Sequence, residues 1–421
     1  MEKTNFILRD YQKEAVKSGI KALKKFKNKA EILVLPTGSG KSLIIANICL
    51  ELKTPTLILQ PSKEILEQNY AKLLSYGIKD IGIFSASVGR KEVDNKFTYA
   101  TIQSIYKNPK QWKHIKNIII DECHLVNPKK IDSMFIKFFK GIGNPKIIGL
   151  TATPYRIVQR YTKEGNDLFY ESNLVPINRI HPFFFSNIAY KIQNKELFDR
   201  NFLCKIKYRY RNNGFNGDLI KKNTTGADFN KEALEKYMNS NKQIANVCQA
   251  VNDYNSYVKH ILIFNTSIKS AENTKKKLNE IFGIESEVIT GKDNKKTREK
   301  KLNDFRNGKI KILLNVGVLT IGYDFPELDC IILARPTRSL ALYYQILGRG
   351  IRISKGKEFC AVIDCTDTVE RLGRIETIFV GTEADGFKTA IYTEVGMLSM
   401  KRLFKWKITK KEKKNKILKK K

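Results

Sequence analysis

The run Leu35-Pro36-Thr37-Gly38-Ser39-Gly40-Lys41-Ser42 has the residue types and spacing to hold a nucleoside triphosphate. Residues 31–35 are apolar enough for a short buried strand, and residues 42–50 are apolar at helical spacing, so the glycines fall at a strand-to-helix turn. Small residues there let the backbone N–H groups of Thr37, Gly38, Ser39 and Gly40 approach phosphate oxygens, and the helix N-terminus favours an anion. Lys41 would reach the β- and γ-phosphates, and the Ser42 hydroxyl would ligate Mg²⁺. The general pattern opens with Gly where this chain has Leu35.

A second group, Asp121-Glu122-Cys123-His124, follows the apolar run Ile118-Ile119-Ile120. Strand alternation points adjacent carboxylates differently, so they can take separate tasks. Asp121 would hold Mg²⁺ through its water shell, and Glu122 would orient or deprotonate an attacking water. Thr151-Ala152-Thr153 likewise follows an apolar run, 147–150. All three groups lie at the carboxyl ends of strands, the rim on which open α/β sheets bind ligands.

The elements that must position them alternate. Strand-like runs at 32–35, 56–59, 81–84, 97–101, 117–120 and 146–150 are separated by helical patterns, which predicts a parallel sheet covered on both faces. The alternation breaks down over about 158–240, which is polar, rich in Asn and Lys, and predicted to be irregular apart from a strand-like run at 205–211. It resumes at 261–264, 287–289, 310–315, 330–334 and 359–364. The expected fold class is therefore α/β, with an N-terminal nucleotide-binding domain over 1–160 and a connecting region over 161–240. A second α/β domain is expected over 241–370 and a C-terminal extension with a Lys-rich tail over 371–421.

Charge narrows the partners. The 421 residues carry a formal net charge of +35, and residues 401–421 alone hold twelve Lys or Arg against one Glu. Such a field favours a polyanion, nucleic acid first, although a genome rich in A and T would also inflate Lys. The tail is expected to be disordered and to bind nucleic acid without sequence preference. Lys205-Ile-Lys-Tyr-Arg-Tyr-Arg211 reads first as a half-buried strand with a solvated basic face, and second as a base-stacking surface. The seven cysteines form no Cys-x-x-Cys pair and read as reduced, buried thiols; no metal beyond nucleotide-bound Mg²⁺ is expected. No apolar run approaches membrane-spanning length and the N-terminus lacks a signal-peptide core, so the expectation is a cytoplasmic protein of a bacterial or phage-infected cell.

Taken in order, Gly38-Ser-Gly-Lys-Ser42, Asp121-Glu-Cys-His124, Thr151-Ala-Thr153, Val318-Leu-Thr-Ile-Gly-Tyr-Asp324 and Gln345-Ile-Leu-Gly-Arg-Gly-Ile-Arg352 resemble the motifs of superfamily 2 helicases. Within that superfamily the chain looks most like the bacterial RadD-type DNA repair ATPases, on Leu8-Arg-Asp-Tyr-Gln12, Gly149-Leu-Thr-Ala-Thr-Pro154, Asn315-Val-Gly-Val-Leu-Thr320 and the run from Arg335-Pro-Thr337 to Arg352. It lacks that group's later cysteines. The resemblance implies two tandem RecA-like domains with an ATP cleft between them. It implies adenine recognition by Gln12 with Arg9 nearby, and arginines Arg349 and Arg352, with Gln345, set against the γ-phosphate from the second domain. If the segment is helical, the two arginines share a face. Asp324 would contact the nucleotide, and Thr151 and Thr153 would couple the water-activating carboxylate to the strand-binding face.

The strand-binding set implied is Pro61, Ser62, Lys63, Thr101, Gln103, Ser104, residues 264–267 and Thr320, whose short polar groups suit backbone phosphates. The expected activity is an ATP-dependent DNA helicase or translocase acting in repair, recombination or replication. Repair or single-strand-binding proteins would be its partners. A duplex translocase or restriction-type motor, an RNA helicase and a non-hydrolysing DNA-binding scaffold remain alternatives.

Overall fold

The computed structural model describes residues 7–25, 30–130, 133–143, 145–164, 167–223, 228–319, 325–383, 388–398 and 402–407. In chain order the strands are β1 (Ala30–Val34), β2 (Thr56–Gln60), β3 (Ile81–Ser85), β4 (Arg90–Lys91), β5 (Phe97–Thr101), β6 (Asn117–Asp121), β7 (Lys146–Thr151), β8 (Tyr155–Glu164), β9 (Asp167–Pro176) and β10 (Phe185–Lys191). The second half adds β11 (Lys205–Tyr210), β12 (Ile261–Asn265), β13 (Glu287–Thr290), β14 (Ile312–Val316), β15 (Cys330–Ala334), β16 (Phe359–Asp364), β17 (Phe379–Thr382), β18 (Thr389–Thr393), β19 (Gly396–Met397) and β20 (Arg402–Lys407).

The first lobe is a sheet of order β10-β1-β7-β6-β2-β5-β3-β4, parallel except where β4 turns back on β3. The second is β11-β16-β15-β12-β14-β13, parallel throughout. Central strands such as β1, β2 and β12 are buried at every residue, as a parallel sheet with both faces covered requires. Helix α1 (Asp10–Lys24) buries Tyr11, Gln12, Ala15, Val16, Gly19, Ile20 and Leu23, a stripe at three- and four-residue spacing. Each large apolar side chain so buried contributes roughly 1.5–3 kcal/mol. Gly19 lets α1 close on α2 (Lys41–Leu52): a Cβ there would stand 2.8 Å from Ile48 Cδ1.

The stretch 158–240 is more ordered than its composition predicts. It holds the antiparallel hairpin β8–β9, and it supplies an edge strand to each sheet, β10 beside β1 and β11 beside β16. Residues 192–204 are thus a crossover that leaves one sheet edge and arrives at the other. The strand expected at 205–211 is β11, with Lys205, Lys207 and Arg209 exposed and Ile206 and Tyr208 facing inward, which agrees with the half-buried reading.

Past β16 the chain turns back. The meander β17–β18–β19 lies against the first lobe's exit: Gln193 Nε2 and Lys191 Nζ donate to the Val380 carbonyl at 2.9 and 3.1 Å. Val380 N–H donates to Gln193 Oε1 at 3.0 Å, and Asn194 Nδ2 donates to the Ile375 carbonyl at 2.9 Å. The Lys-rich tail, expected to be disordered from 401, instead opens with β20, which pairs antiparallel with β9. Residues 408–421 lie outside the described residues. No helix among the described residues is long and apolar enough to cross a membrane.

Candidate nucleotide site between the lobes

The phosphate loop sits where β1 meets α2. Gly38 and Gly40 adopt φ of +83° and +85°, the left-handed region where a side chain is costly. A Cβ on Gly40 would also stand 2.5 Å from Gln12 Nε2, and one on Gly38 would stand 2.8 Å from Leu203 Cδ2. Gln12 explains the first approach: its Nε2 donates to the Ser39 carbonyl at 2.9 Å while its Oε1 accepts the Arg9 N–H at 3.0 Å. Tyr11 OH donates to the same carbonyl at 2.8 Å. The start of α1 therefore braces the back of the loop. Gln12 Nε2 also donates to the Tyr11 hydroxyl at 3.4 Å, so both amide hydrogens are engaged and one Oε1 lone pair is left over.

At the tip of β6, Asp121 is buried and its Oδ1 accepts the Glu122 N–H at 2.9 Å. Glu122 holds a left-handed backbone (φ 49°, ψ 49°), an uncommon conformation for a non-glycine residue and one found at functional sites. That turn aims its carboxylate at Lys41 Nζ, 3.4 Å away, and at His124 Nδ1, 3.3 Å away. The Thr151 hydroxyl donates to Glu122 Oε2 at 3.3 Å. It also shares His124 Nδ1, 2.9 Å away, with Thr153 Oγ1 at 3.1 Å. The two carboxyls consequently titrate apart. Burial and the adjacent Glu122 charge push Asp121 up. Burial also raises Glu122, but Lys41 and His124 outweigh it and hold Glu122 ionised well below the usual range.

The second lobe supplies the opposite wall. Gln345 lies in the helix Leu340–Leu347, which ends before Arg349. The two arginines are thus not on one helix face; tight turns, with Arg349 N–H on the Ile346 carbonyl at 3.1 Å, carry the chain on toward Arg352. Gly348 permits the approach, since a Cβ on it would stand 2.4 Å from Thr37 Cγ2. Burial lowers both arginines to about 10, with Glu122 partly restoring Arg349, so both stay charged at neutral pH.

A cavity of about 320 Å³ lies between these walls, lined by Thr37, Gly38, Gly40, Lys41, Ser42, Pro61, Asp121, Glu122, Gln345, Arg349 and Arg352 among others. Four basic side chains (Lys41, Lys72, Arg349, Arg352) face two acidic ones (Asp121, Glu122) there, a surplus that suits a polyanion. Ser42 and Asp121 offer it hard oxygen donors. Mg²⁺ takes few protein ligands and the rest from water and phosphate, so this donor set fits it.

Not every expected residue gathers here. Arg9 and Gln12 lie behind the loop rather than on the cavity wall. Pro61, expected on the strand-binding face, lines the cavity; Ser62 caps α3 (Lys63–Ser75), accepting the Ile65 N–H at 3.4 Å. Thr101 and Ser104 bond each other at 2.9 Å, Ser104 Oγ accepts the Ala86 N–H at 2.9 Å, and Gln103 is exposed. Thr320 and Asp324 lie outside the described residues. Sequence reasoning did not find Gln68, Asn69 and Lys72 of α3, which also line the cavity. Their spacing on one face of α3 was the only signal.

Two parallel-sheet lobes that place a phosphate loop, an acidic pair and arginines around one cavity have the architecture of the two-lobed phosphate-loop proteins. Family models match both halves: the type III restriction enzyme, res subunit, over residues 5–156, and the helicase conserved C-terminal domain over residues 242–354. The chain belongs to the superfamily 2 helicases. It is 26% identical over 378 residues to IRC3 of Saccharomyces cerevisiae, covering 85% of this chain and 51% of that protein. It thus spans about half of IRC3's length. It is also 26% identical over 377 residues to XPB2 of Sulfurisphaera tokodaii, named a DNA 3'-5' translocase, covering 83% of this chain and 80% of that one. Among solved structures, the ATP-dependent Type ISP restriction-modification enzyme LlaBIII bound to DNA superposes with a TM-score of 0.62 at 17% identity. The match covers 87% of this chain and 28% of that one, and speaks to fold alone.

Proposed function

We propose that this chain is a nucleic-acid-dependent ATPase that couples hydrolysis to movement on, or remodelling of, DNA. The observation that carries the reading is the single cavity onto which Lys41, Asp121 and Glu122 of one lobe and Gln345, Arg349 and Arg352 of the other all open. The phosphate loop would cradle the β- and γ-phosphates, with Lys41 neutralising them. Ser42 and Asp121 would hold Mg²⁺, which supplies further charge neutralisation on the phosphate oxygens. Glu122, kept ionised by Lys41 and His124, is placed to orient the attacking water and accept its proton. Arg349 and Arg352 would take up charge on the γ-phosphoryl as the bond to the leaving phosphate breaks.

Because that charge is met from the second lobe, catalysis depends on how the lobes sit. A strand laid across both would change the rate. The network from Glu122 through His124 to Thr151 and Thr153 is the route by which the strand-binding face would act on the water. DNA is favoured over RNA by the name of XPB2, and that same name favours translocation as the second reading. The deciding experiment is ATP turnover measured without polymer and with single strand, duplex, forked DNA and RNA. Stimulation by DNA above RNA is expected. Equal turnover in all five would sink the reading, and stimulation by duplex without strand displacement would select the translocase.

A further inference from the structure

The helix that carries Gln345 ends at Leu347, so a continuing helix cannot satisfy the carbonyls beyond it. Three consecutive ones find donors elsewhere in the chain. The Gly350 and Arg352 carbonyls accept from Lys357 Nζ at 2.6 and 2.9 Å, and the Ile351 carbonyl between them accepts the Cys204 N–H at 2.8 Å. Lys357 Nζ also donates to the Pro326 carbonyl at 2.9 Å, in the segment that leads into β15. An ammonium has three N–H donors, and three carbonyls at charge-assisted distances match them all.

Lys357 reaches this place through a tight turn. Its own N–H donates to the Ser354 carbonyl at 3.2 Å, and Gly356 takes φ +77°, where a side chain would be strained. The segment it holds lies close on the sheet: a Cβ on Gly350 would stand 2.4 Å from Cys360 Sγ of β16 and 3.0 Å from Ile331 Cδ1 of β15. Peptide units are rigid planes, so a residue's Cα–Cβ direction is set once the planes on both sides of it are held. For Arg352 those planes carry the Ile351 and Arg352 carbonyls, the first held by Cys204 of the crossover and the second by Lys357. Arg349 is set otherwise, by its own turn: its N–H bonds Ile346 and the Gly350 N–H bonds Leu347 at 2.9 Å.

We infer that Lys357 is a positioning residue for Arg352: it fixes the backbone there so that the guanidinium is presented to the cavity from one direction. Lys357 itself does not line the cavity, whereas Arg352 does. The inference rests on the nucleotide reading above, in which Arg352 meets charge on the γ-phosphoryl.

The test is the affinity of the full chain for Mg–ADP, and for Mg–ADP with aluminium fluoride, a mimic of the γ-phosphoryl in transfer. It is measured in the parent, Lys357→Met, Arg352→Ala and the double variant, with ATP turnover beside it. Met keeps the length and the apolar stem without a donor. Lys357→Met should bind ADP like the parent but the aluminium fluoride complex about 10- to 100-fold more weakly, the scale of a misplaced group, and kcat should fall by a similar factor with KM little changed. In the Arg352→Ala background the same change should cost nothing further. An equal loss for ADP overturns the inference, and so does a loss that adds in full to that of Arg352→Ala. Where Lys357→Met does not fold, Lys357→Arg carries the same comparison. It keeps the charge, but a planar fork does not suit three carbonyls converging on one nitrogen, so the loss should have the same sign and vanish in the same background. A parent that binds neither complex removes the nucleotide reading and the inference with it. If the aluminium fluoride affinities shift as expected while no polymer stimulates ATP turnover, the inference stands and only the motor reading falls.

Discussion

The two lobes contribute to one cavity in different ways. In the first, the groups at the phosphate loop are cross-braced: Lys41 on Glu122, Glu122 on His124 and Thr151, and the loop carbonyl of Ser39 on Gln12 and Tyr11. In the second, the arginines follow a helix that has already ended, and burial rather than ionic pairing governs their titration. The first half of the site is preorganised within its own lobe, and the second exists only by virtue of where its lobe lies. On the proposed function, holding the nucleotide and completing the reaction would be divided between the lobes, so relative motion would gate one without undoing the other.

That division can be broken from the first lobe with the largest effect. Lys41→Ala removes the cation facing the phosphates and the partner of Glu122, and should abolish turnover while weakening nucleotide binding. Glu122→Gln keeps the shape and leaves Asp121 in place, so ATP should stay bound while hydrolysis stops. Single-turnover hydrolysis with a parallel binding measurement separates the two. Parental turnover in Glu122→Gln would remove that residue from the water.

From the second lobe the loss should fall on rate rather than affinity. Arg349→Ala and Arg352→Ala should each lower turnover at saturating ATP by about 10³–10⁵-fold, the usual worth of an arginine finger, with a much smaller change in nucleotide binding. A drop of less than about tenfold in either would return that residue to a structural role and weaken the contrast between the lobes.

The smallest effect should come from the C-terminus, where β20 decides how much of the tail to remove. Removing 401–421 also deletes β20 and exposes an edge of β9, so it mixes charge with folding. Removing 408–421 takes away eight lysines against Glu412, a net +7, and leaves β20 intact. Turnover at saturating DNA should hold, while DNA affinity falls and its log–log salt slope flattens by roughly 0.9 for each duplex phosphate no longer neutralised. An unaltered slope would mean those lysines do not touch DNA.

Much of this architecture is legible in the sequence because parallel strands buried on both faces spell continuous apolar runs, as 118–120 and 261–264 do. Edge strands do not. In β10, Phe185-Ser-Asn-Ile-Ala-Tyr-Lys191 has, among the described residues, a neighbouring strand on one side alone and shows mixed polarity, so from sequence the crossover reads as irregular chain. The site follows the same rule. Groups fixed by local geometry, such as Gly38 to Ser42 and Asp121-Glu122, announce themselves by spacing. Gln68, Asn69 and Lys72 are ordinary residues until folding brings distant segments together. The ending of the helix at Leu347 is likewise invisible, because Gly348 reads equally well as a tolerated helical glycine or as a stop.

The return of the chain after β16 has a mechanical consequence. The crossover 192–204 leads from the first lobe to the second, and the meander β17–β18–β19 leads back to the place it left, pinned at Gln193 and Asn194. Two bodies joined by one strand of chain can swing and twist about a point. Joined twice, side by side, they have fewer ways to move than two bodies on a single tether. The cavity lies between the bodies so joined, and the doubled link would limit how far the phosphate loop and the arginines can part.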